Sequence, residues 1–136
     1  MSMFEIVFSP TGGTEKVSGL VTGALDGNIV TVDLSDSGLD FHGVSMAKGD
    51  VAVISVPSYA GRVPAVAVER LGMVRGNGAR AVLVCVYGGR AFEDTLIELE
   101  DVAKRAGFRV VAAVSAIAEH SVARQFAAGR PDAQDV

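Results

Sequence analysis

Three stretches of the sequence combine residue types that suit the capture of a flat, phosphorylated ligand. Ser9-Pro-Thr-Gly-Gly-Thr14 sets hydroxyls on either side of a glycine pair. Glycine lets backbone approach a ligand closely, and a helix N-terminus behind it offers unpaired N–H groups and a positive dipole end. Such a loop suits a terminal phosphate, each charge-assisted hydrogen bond being worth roughly 1.5–3 kcal/mol. Taken alone, it reads equally as a plain tight turn. It lacks the Lys-Ser/Thr pair of a nucleotide-triphosphate loop, because Glu15 follows Thr14, and its glycine spacing is not that of a dinucleotide fingerprint. Pro57-Ser-Tyr-Ala-Gly-Arg-Val-Pro64 and Tyr87-Gly-Gly-Arg-Ala-Phe92 carry the only two tyrosines, and there is no tryptophan. Flat amphipathic rings in glycine-rich loops stack on a planar group and hydrogen-bond at the tip. One such tyrosine reads as a plug for the end of a core; two beside a phosphate loop favour a ligand.

Those loops need elements that hold them level. Val51-Ala-Val-Ile-Ser-Val56, Ala81-Val-Leu-Val-Cys-Val86 and Phe108-Arg-Val-Val-Ala-Ala-Val114 are nearly continuous apolar runs. Strands covered on both faces of a parallel sheet read this way. Met3-Phe-Glu-Ile-Val-Phe8 and Asn28-Ile-Val-Thr-Val32 are shorter members of the set. After Thr14, Val17, Leu20, Val21, Ala24 and Leu25 fall on one helix face. After Arg90 the stripe is Phe92, Leu96, Leu99, Ala103 and Ala106, with Glu93 and Asp94 in the first turn, Lys104 and Arg105 in the last, and Gly107 as a stop. A shorter helix is predicted to start at Pro64 and run to about Leu71, and Gly76-Asn-Gly78 to turn the chain into the next strand. Leu34 to Gly49 shows no periodicity. It is expected to be an irregular connection that leaves an edge strand and crosses the first strand to reach the third. The alternation gives an α/β layer fold with right-handed crossovers, whose ligand sits beyond the carboxyl ends of the strands where their order reverses.

Taken together, the three loops resemble those of the flavodoxins, whose phosphate loop usually reads Ser/Thr-x-Thr-Gly-x-Thr. Val56-Pro-Ser-Tyr-Ala-Gly-Arg-Val-Pro64, Val86-Tyr-Gly-Gly-Arg-Ala-Phe-Glu-Asp94 and Glu119-His-Ser121 with Gly129-Arg-Pro-Asp132 are more similar still to one branch. That branch is the flavodoxin-like domain found fused to a ferredoxin domain in anaerobic bacteria and archaea. The resemblance covers essentially the whole chain. It implies a single domain over residues 1–136, built on a doubly wound five-stranded parallel sheet of order 2-1-3-4-5, with FMN between the first and third strands. By position, it implies that Ser9, Thr11, Gly12, Gly13 and Thr14 hold the FMN phosphate. Ser58, Tyr59, Ala60 and Gly61 would line one side of the isoalloxazine ring, and Tyr87, Gly88, Gly89 and Phe92 the other. The implied function is transfer of one or two electrons between redox partner proteins, among them a ferredoxin domain in cis or in trans, with no substrate chemistry of its own. An FMN-dependent NAD(P)H:quinone-type reductase is the alternative, although 136 residues leave little for the loops that seat a second substrate. Arg62 and Arg90 depart from the acidic ring loops of flavodoxins. A cation beside the ring raises its potential, whereas one turned away is solvated or clamps its loop. No cysteine-rich ferredoxin segment lies within the sequence.

Composition narrows the remaining classes. Hydrophobic residues at 49% and charged ones at 21% are enough for a core, and a formal net charge of -4 argues against a nucleic-acid partner. The single cysteine, Cys85, excludes an internal disulfide, a zinc knuckle and an iron–sulfur site, and inside a strand it reads as a small buried hydrophobe. No metal site is expected. No apolar run approaches the roughly 20 residues of a membrane span, and Met1 to Pro10 has no signal-peptide pattern, so a cytoplasmic domain with no membrane partner is expected. A two-component receiver domain shares the fold class, but Ser9-Pro10 and Val56-Pro57 stand where receivers are acidic. His42, in the irregular connection, is expected to do nothing chemical; His120, past the fifth strand, is read as structural, with a place bordering the cofactor site as the alternative, and the sequence has no nucleophile elbow. Gly129-Arg-Pro-Asp-Ala-Gln-Asp-Val136 begins like a helix and stops within about one turn, so the final helix is expected to be missing or truncated. A sheet face left bare would then point to a piece of a longer protein, or to a homodimer formed through that face.

Overall fold

A computed structural model describes residues 2–9, 29–58, 62–87, 92–117 and 122–127. The helix expected after Thr14, the loops at 10–14, 59–61 and 88–91, His120 and the chain end at 128–136 lie outside these residues. Five strands run parallel: β1 (Met3–Val7), β2 (Ile29–Asp33), β3 (Val51–Pro57), β4 (Arg80–Tyr87) and β5 (Arg109–Ile117). Their order is β2-β1-β3-β4-β5, as the resemblance implied. The near-continuous apolar runs became the central strands because they meet cover on both faces; in β3 every residue from Ala52 to Val56 is buried. β2 lies at the edge and exposes Ile29 and Val30. A sixth strand, β6 (Val122–Ala127), pairs antiparallel with β5, and nothing in the sequence pattern led us to expect it. Residues 118–121 are its whole connection to β5, long enough for an antiparallel return and too short for a parallel crossover.

The irregular stretch between β2 and β3 is held by local polar chemistry over buried apolar anchors. Leu34 continues the ladder by donating its N–H to the Val7 carbonyl at 2.7 Å. The carboxylates of Asp33, Asp36 and Asp40 each accept a backbone N–H two residues on, from Ser35, Gly38 and His42. Asp40 thereby caps a single 3-10 turn at Phe41–Gly43. Leu34, Phe41 and Met46 are buried beneath it. Arg70 ties the stretch down from the next layer: its Nη1 donates to the Leu34 carbonyl at 2.6 Å, and its guanidinium lies 5.6 Å from the Phe41 ring centroid.

Two helices are described, α1 (Ala65–Leu71) and α2 (Phe92–Arg105). Pro64 stands one place outside α1, at its N-cap, because its ψ of 136° is extended and not helical. α2 carries the i,i+4 pairs Glu100–Lys104 and Asp101–Arg105, with each acid N-terminal to its base, the favourable orientation. It stops as expected at Gly107, whose φ is +98°. There Gly107 donates to the Lys104 carbonyl and Phe108 to that of Ala103, the Schellman pattern. Ile6, Ile54 and Leu83 pack on one face of the sheet with Leu71 of α1 and Leu99 of α2. Val53, Val84, Val86 and Val114 form a separate cluster, and β-strand alternation sets it on the opposite face. All four are buried within a single chain.

The turn before β4 and the stop after α2 are pressed together. Gly76 donates to the Ala106 carbonyl at 2.7 Å, and a Cβ on Gly76 would sit 2.6 Å from the Phe108 nitrogen and 2.7 Å from the Gly107 carbonyl carbon. Both obstacles are backbone. Gly76→Ala is expected to cost about 1–3 kcal/mol, as overpacking does. Gly49→Ala, which would meet nothing within 4 Å, is expected to stay within about 0.5 kcal/mol of wild type. Urea denaturation of the two variants checks both figures.

Candidate functional site

Parallel register brings three strand ends to one edge. Val7 of β1 is level with Ser55 of β3, and the ladder extends one step further as Phe8 donates to the Ser55 carbonyl at 3.0 Å. Pro57 of β3 is level with Val86 of β4, and Ser58 donates its N–H to the Val86 carbonyl at 2.8 Å. The chain therefore leaves β1 at Ser9, β3 at Ser58 and β4 at Tyr87, all on the carboxyl side. β1 pairs with β2 on one flank and with β3 on the other, so strand order reverses between β1 and β3. That reversal opens a crevice in sheets of this kind. Of the residues singled out from sequence, Ser9, Ser58 and Tyr87 are brought to this edge, and Phe92 opens α2 behind it. Thr11, Gly12, Gly13, Thr14, Tyr59, Ala60, Gly61, Gly88 and Gly89 lie outside the described residues.

Two side chains of α2 reach the loop that follows β3, and the sequence reading missed both. Ser58 Oγ shares a hydrogen bond of 2.6 Å with Oγ1 of Thr95, which is fully buried. Both the hydroxyl and the amide of Ser58 are thus engaged by the protein itself. Glu98, one turn further on, takes Arg62 in a two-pronged pair, Nε at 3.0 Å and Nη2 at 2.9 Å, and accepts the Val63 N–H at 2.8 Å. The Arg62 side chain is 72% exposed, yet its guanidinium is committed to Glu98, which decides between the two roles open to it: it clamps its loop. The hydrogen bonds from Arg62 hold the Glu98 carboxyl below its ordinary value, and the same pairing raises that of Arg62. A sequence signal for Thr95 did exist. It is a polar residue beside Leu96 on the buried side of a helix, where it needs a partner.

Two more of the chemically suggestive residues, Cys85 and His42, lie among the described ones. Cys85 is fully buried between Leu96 and Ala113, and burial pushes its thiol up to about 12, so it is an inert apolar filler. His42 is exposed in the 3-10 turn. With Arg75, Asn77 and Arg105 it lines an open hollow of 520 Å³ at the amino end of the strands, the end away from the crevice. Among the described residues no three His, Cys, Asp or Glu side chains gather as a metal site, and no helix is long and apolar enough to cross a membrane.

Solved structures repeat this arrangement of strands and helices. The chain is similar to a flavodoxin from Streptococcus pneumoniae TIGR4, with 20% identity over 85% of this chain and 84% of that one and a TM-score of 0.62. It is similar to a flavodoxin from Bacillus cereus, with 16% identity over 86% and 84% and a TM-score of 0.64. It is also similar to the apo form of an NADH:FMN oxidoreductase, with 16% identity over 88% of this chain and 77% of that one and a TM-score of 0.68. The chain has the flavodoxin-like fold. No protein-family model and no curated protein matches its sequence. In a flavodoxin-like sheet the crevice between β1 and β3 is where the three loops singled out from sequence depart, and the Arg62–Glu98 clamp sits at the far end of one of them.

The clamp has a pH signature. Because the folded Glu98 carboxyl is depressed, its stabilising contribution is complete above the ordinary value of 4.5 and is lost as pH falls through the lower folded value. In an NMR titration the Glu98 carboxyl is expected to show a midpoint below 4.5, with the Val63 amide shift following the same curve.

Proposed function

We propose that this chain is an FMN-binding electron carrier of the flavodoxin type, passing one or two electrons between redox partner proteins. One observation carries the reading: the three loops that combine hydroxyls, glycines and the only tyrosines leave three separate strands at one edge, where strand order reverses. The donor chemistry fits such a ligand. The described exits of β1, β3 and β4 carry Ser9, Ser58 and Tyr87 and no carboxylate to repel a phosphate. The segments that follow add the hydroxyls of Thr11, Thr14 and Tyr59, with Gly12, Gly13, Gly61, Gly88 and Gly89 for close backbone approach. Ser9, Thr11, Gly12, Gly13 and Thr14 would bind the phosphate. Ser58, Tyr59, Ala60 and Gly61 on one side, with Tyr87, Gly88, Gly89 and Phe92 on the other, would hold the ring. When bound, FMN supplies the electron chemistry; the protein orients it and sets its electrostatic surroundings. The engaged Arg62 leaves that ring loop with a neutralised pair in place of a free cation. A ferredoxin domain, in cis or in trans, is the partner we favour, on the strength of the sequence strings shared with the fused branch.

A reductase that takes hydride from a nicotinamide is the second reading, favoured by the likeness to an NADH:FMN oxidoreductase. Freshly purified protein carrying the absorbance spectrum of a flavin supports both. Sustained NADH or NADPH oxidation by that protein would replace the carrier with the reductase.

Gly12→Val sets a branched side chain where the phosphate is held. It is expected to weaken FMN binding by about tenfold or more, the worth of one charge-assisted hydrogen bond, and riboflavin binding much less. Equal losses for both ligands in fluorescence titrations would remove the phosphate assignment. Tyr59→Ala and Tyr87→Ala are each expected to relieve part of the quenching of bound-flavin fluorescence, because stacking is its cause. Unchanged fluorescence and affinity in both variants would return the tyrosines to the role of core plugs.

A further inference from the structure

The loop from Ser58 to Pro64 is fastened to α2 at both of its ends. At the near end Ser58 bonds Thr95, and at the far end Arg62 and the Val63 amide both bond Glu98. Thr95 and Glu98 are three residues apart, one turn of helix, and so face the same way. Between the two fastenings lie Tyr59, Ala60 and Gly61, three of the residues proposed to meet the ring. The helix that supplies both partners is itself immobilised on the sheet by Leu96, Leu99, Val102 and Ala103, all buried. Its first residue, Phe92, directly follows the loop leaving β4. One helix is thus tied to both loops that would hold the flavin ring. The Glu98 carboxylate accepts the Val63 N–H, the last main-chain donor before Pro64, which has no N–H of its own.

We propose that Glu98, seconded by Thr95, is a positioning residue for flavin: by fixing the two ends of the loop, Ser58 and Arg62-Val63, before the cofactor arrives, it lowers the cost of ordering that loop on the ring. This rests on the carrier reading, in which that segment lines the ring. Pre-organisation of this kind improves affinity by removing the entropy cost of ordering a loop on binding, without touching the ligand. It is distinct from phosphate recognition, so its loss acts on ring and loop together.

The experiment compares wild type with Glu98→Ala, Glu98→Gln and, as a charge control on the same helix, Glu100→Gln, whose native carboxylate pairs with Lys104. Each apoprotein is read for hydrogen exchange at the Val63 amide and then titrated with FMN and with riboflavin. In Glu98→Ala the Val63 amide is expected to lose its protection, and both flavins to bind about tenfold more weakly with less quenching of the bound ring. Glu98→Gln keeps an oxygen for the Val63 N–H and is expected to fall between Glu98→Ala and wild type. Glu100→Gln is expected to match wild type throughout. Should Glu98→Ala fail to fold, Glu98→Gln carries the test through its weaker binding beside an unchanged urea midpoint. Wild type that takes up FMN, with both Glu98 variants binding and quenching equally well, would overturn this proposal alone. Wild type that takes up neither flavin would overturn the carrier reading and the proposal with it.

Discussion

Everything at the crevice depends on the register of three parallel strands. Parallel strands share a direction, so every exit from the sheet toward a following helix falls on one edge, and register sets how level those exits are. Here β1, β3 and β4 finish within three register steps of one another, locked by Phe8 N–H on the Ser55 carbonyl and Ser58 N–H on the Val86 carbonyl. A slip by one residue would turn Ile6, Ile54 and Leu83 to the opposite face and part the three loops. The core on both faces is what forbids that slip. Burial of the sheet and placement of the site are therefore one constraint, met by the same side chains.

The layer above the sheet then does the finer positioning. Arg70 of α1 reaches back to the Leu34 carbonyl and steadies the connection that crosses β1. Asp50 does the same at the opposite edge, accepting N–H groups from Ser2 and Ala47 that keep its carboxyl below the usual range and join the starts of β1 and β3. α2 reaches forward, with Thr95 and Glu98 engaging the loop after β3. Thr95 is buried and holds the Ser58 hydroxyl, whereas Arg70, Asp50 and Glu98 sit at the margin of the apolar core and satisfy backbone that has left the ladder. That is where polar side chains give direction at least desolvation cost.

Most of this fold was legible in the residues. Runs such as Val51–Val56 and Ala81–Val86 carry their strand identity in near-continuous β-branched character, and the α2 stripe from Phe92 carries both its period and its glycine stop. The connection at 34–49 was legible only as an absence of period, because its order comes from Asp side chains bonding locally and from Arg70, which is distant in sequence. β6 was not legible. Val122-Ala-Arg-Gln-Phe-Ala127 has weak alternation and becomes a strand through the edge that β5 offers it. For the site, residue types pointed to the loops, but not to what fastens them. Arg62 read as a possible charge beside a cofactor, and only the three-dimensional pairing with Glu98, 36 residues away, reveals the clamp.

The central claim is that flavin belongs in the crevice between β1 and β3, and an amide-resolved titration of the isotope-labelled apoprotein with FMN tests it most directly. Saturable shifts are expected at Ser9, Ser58 and Tyr87 and in the segments that follow each. The amino end of the strands, where Arg75 and Arg105 line the open hollow, is expected to stay unmoved. Shifts confined to that amino end, or none at all at high FMN, would contradict the account.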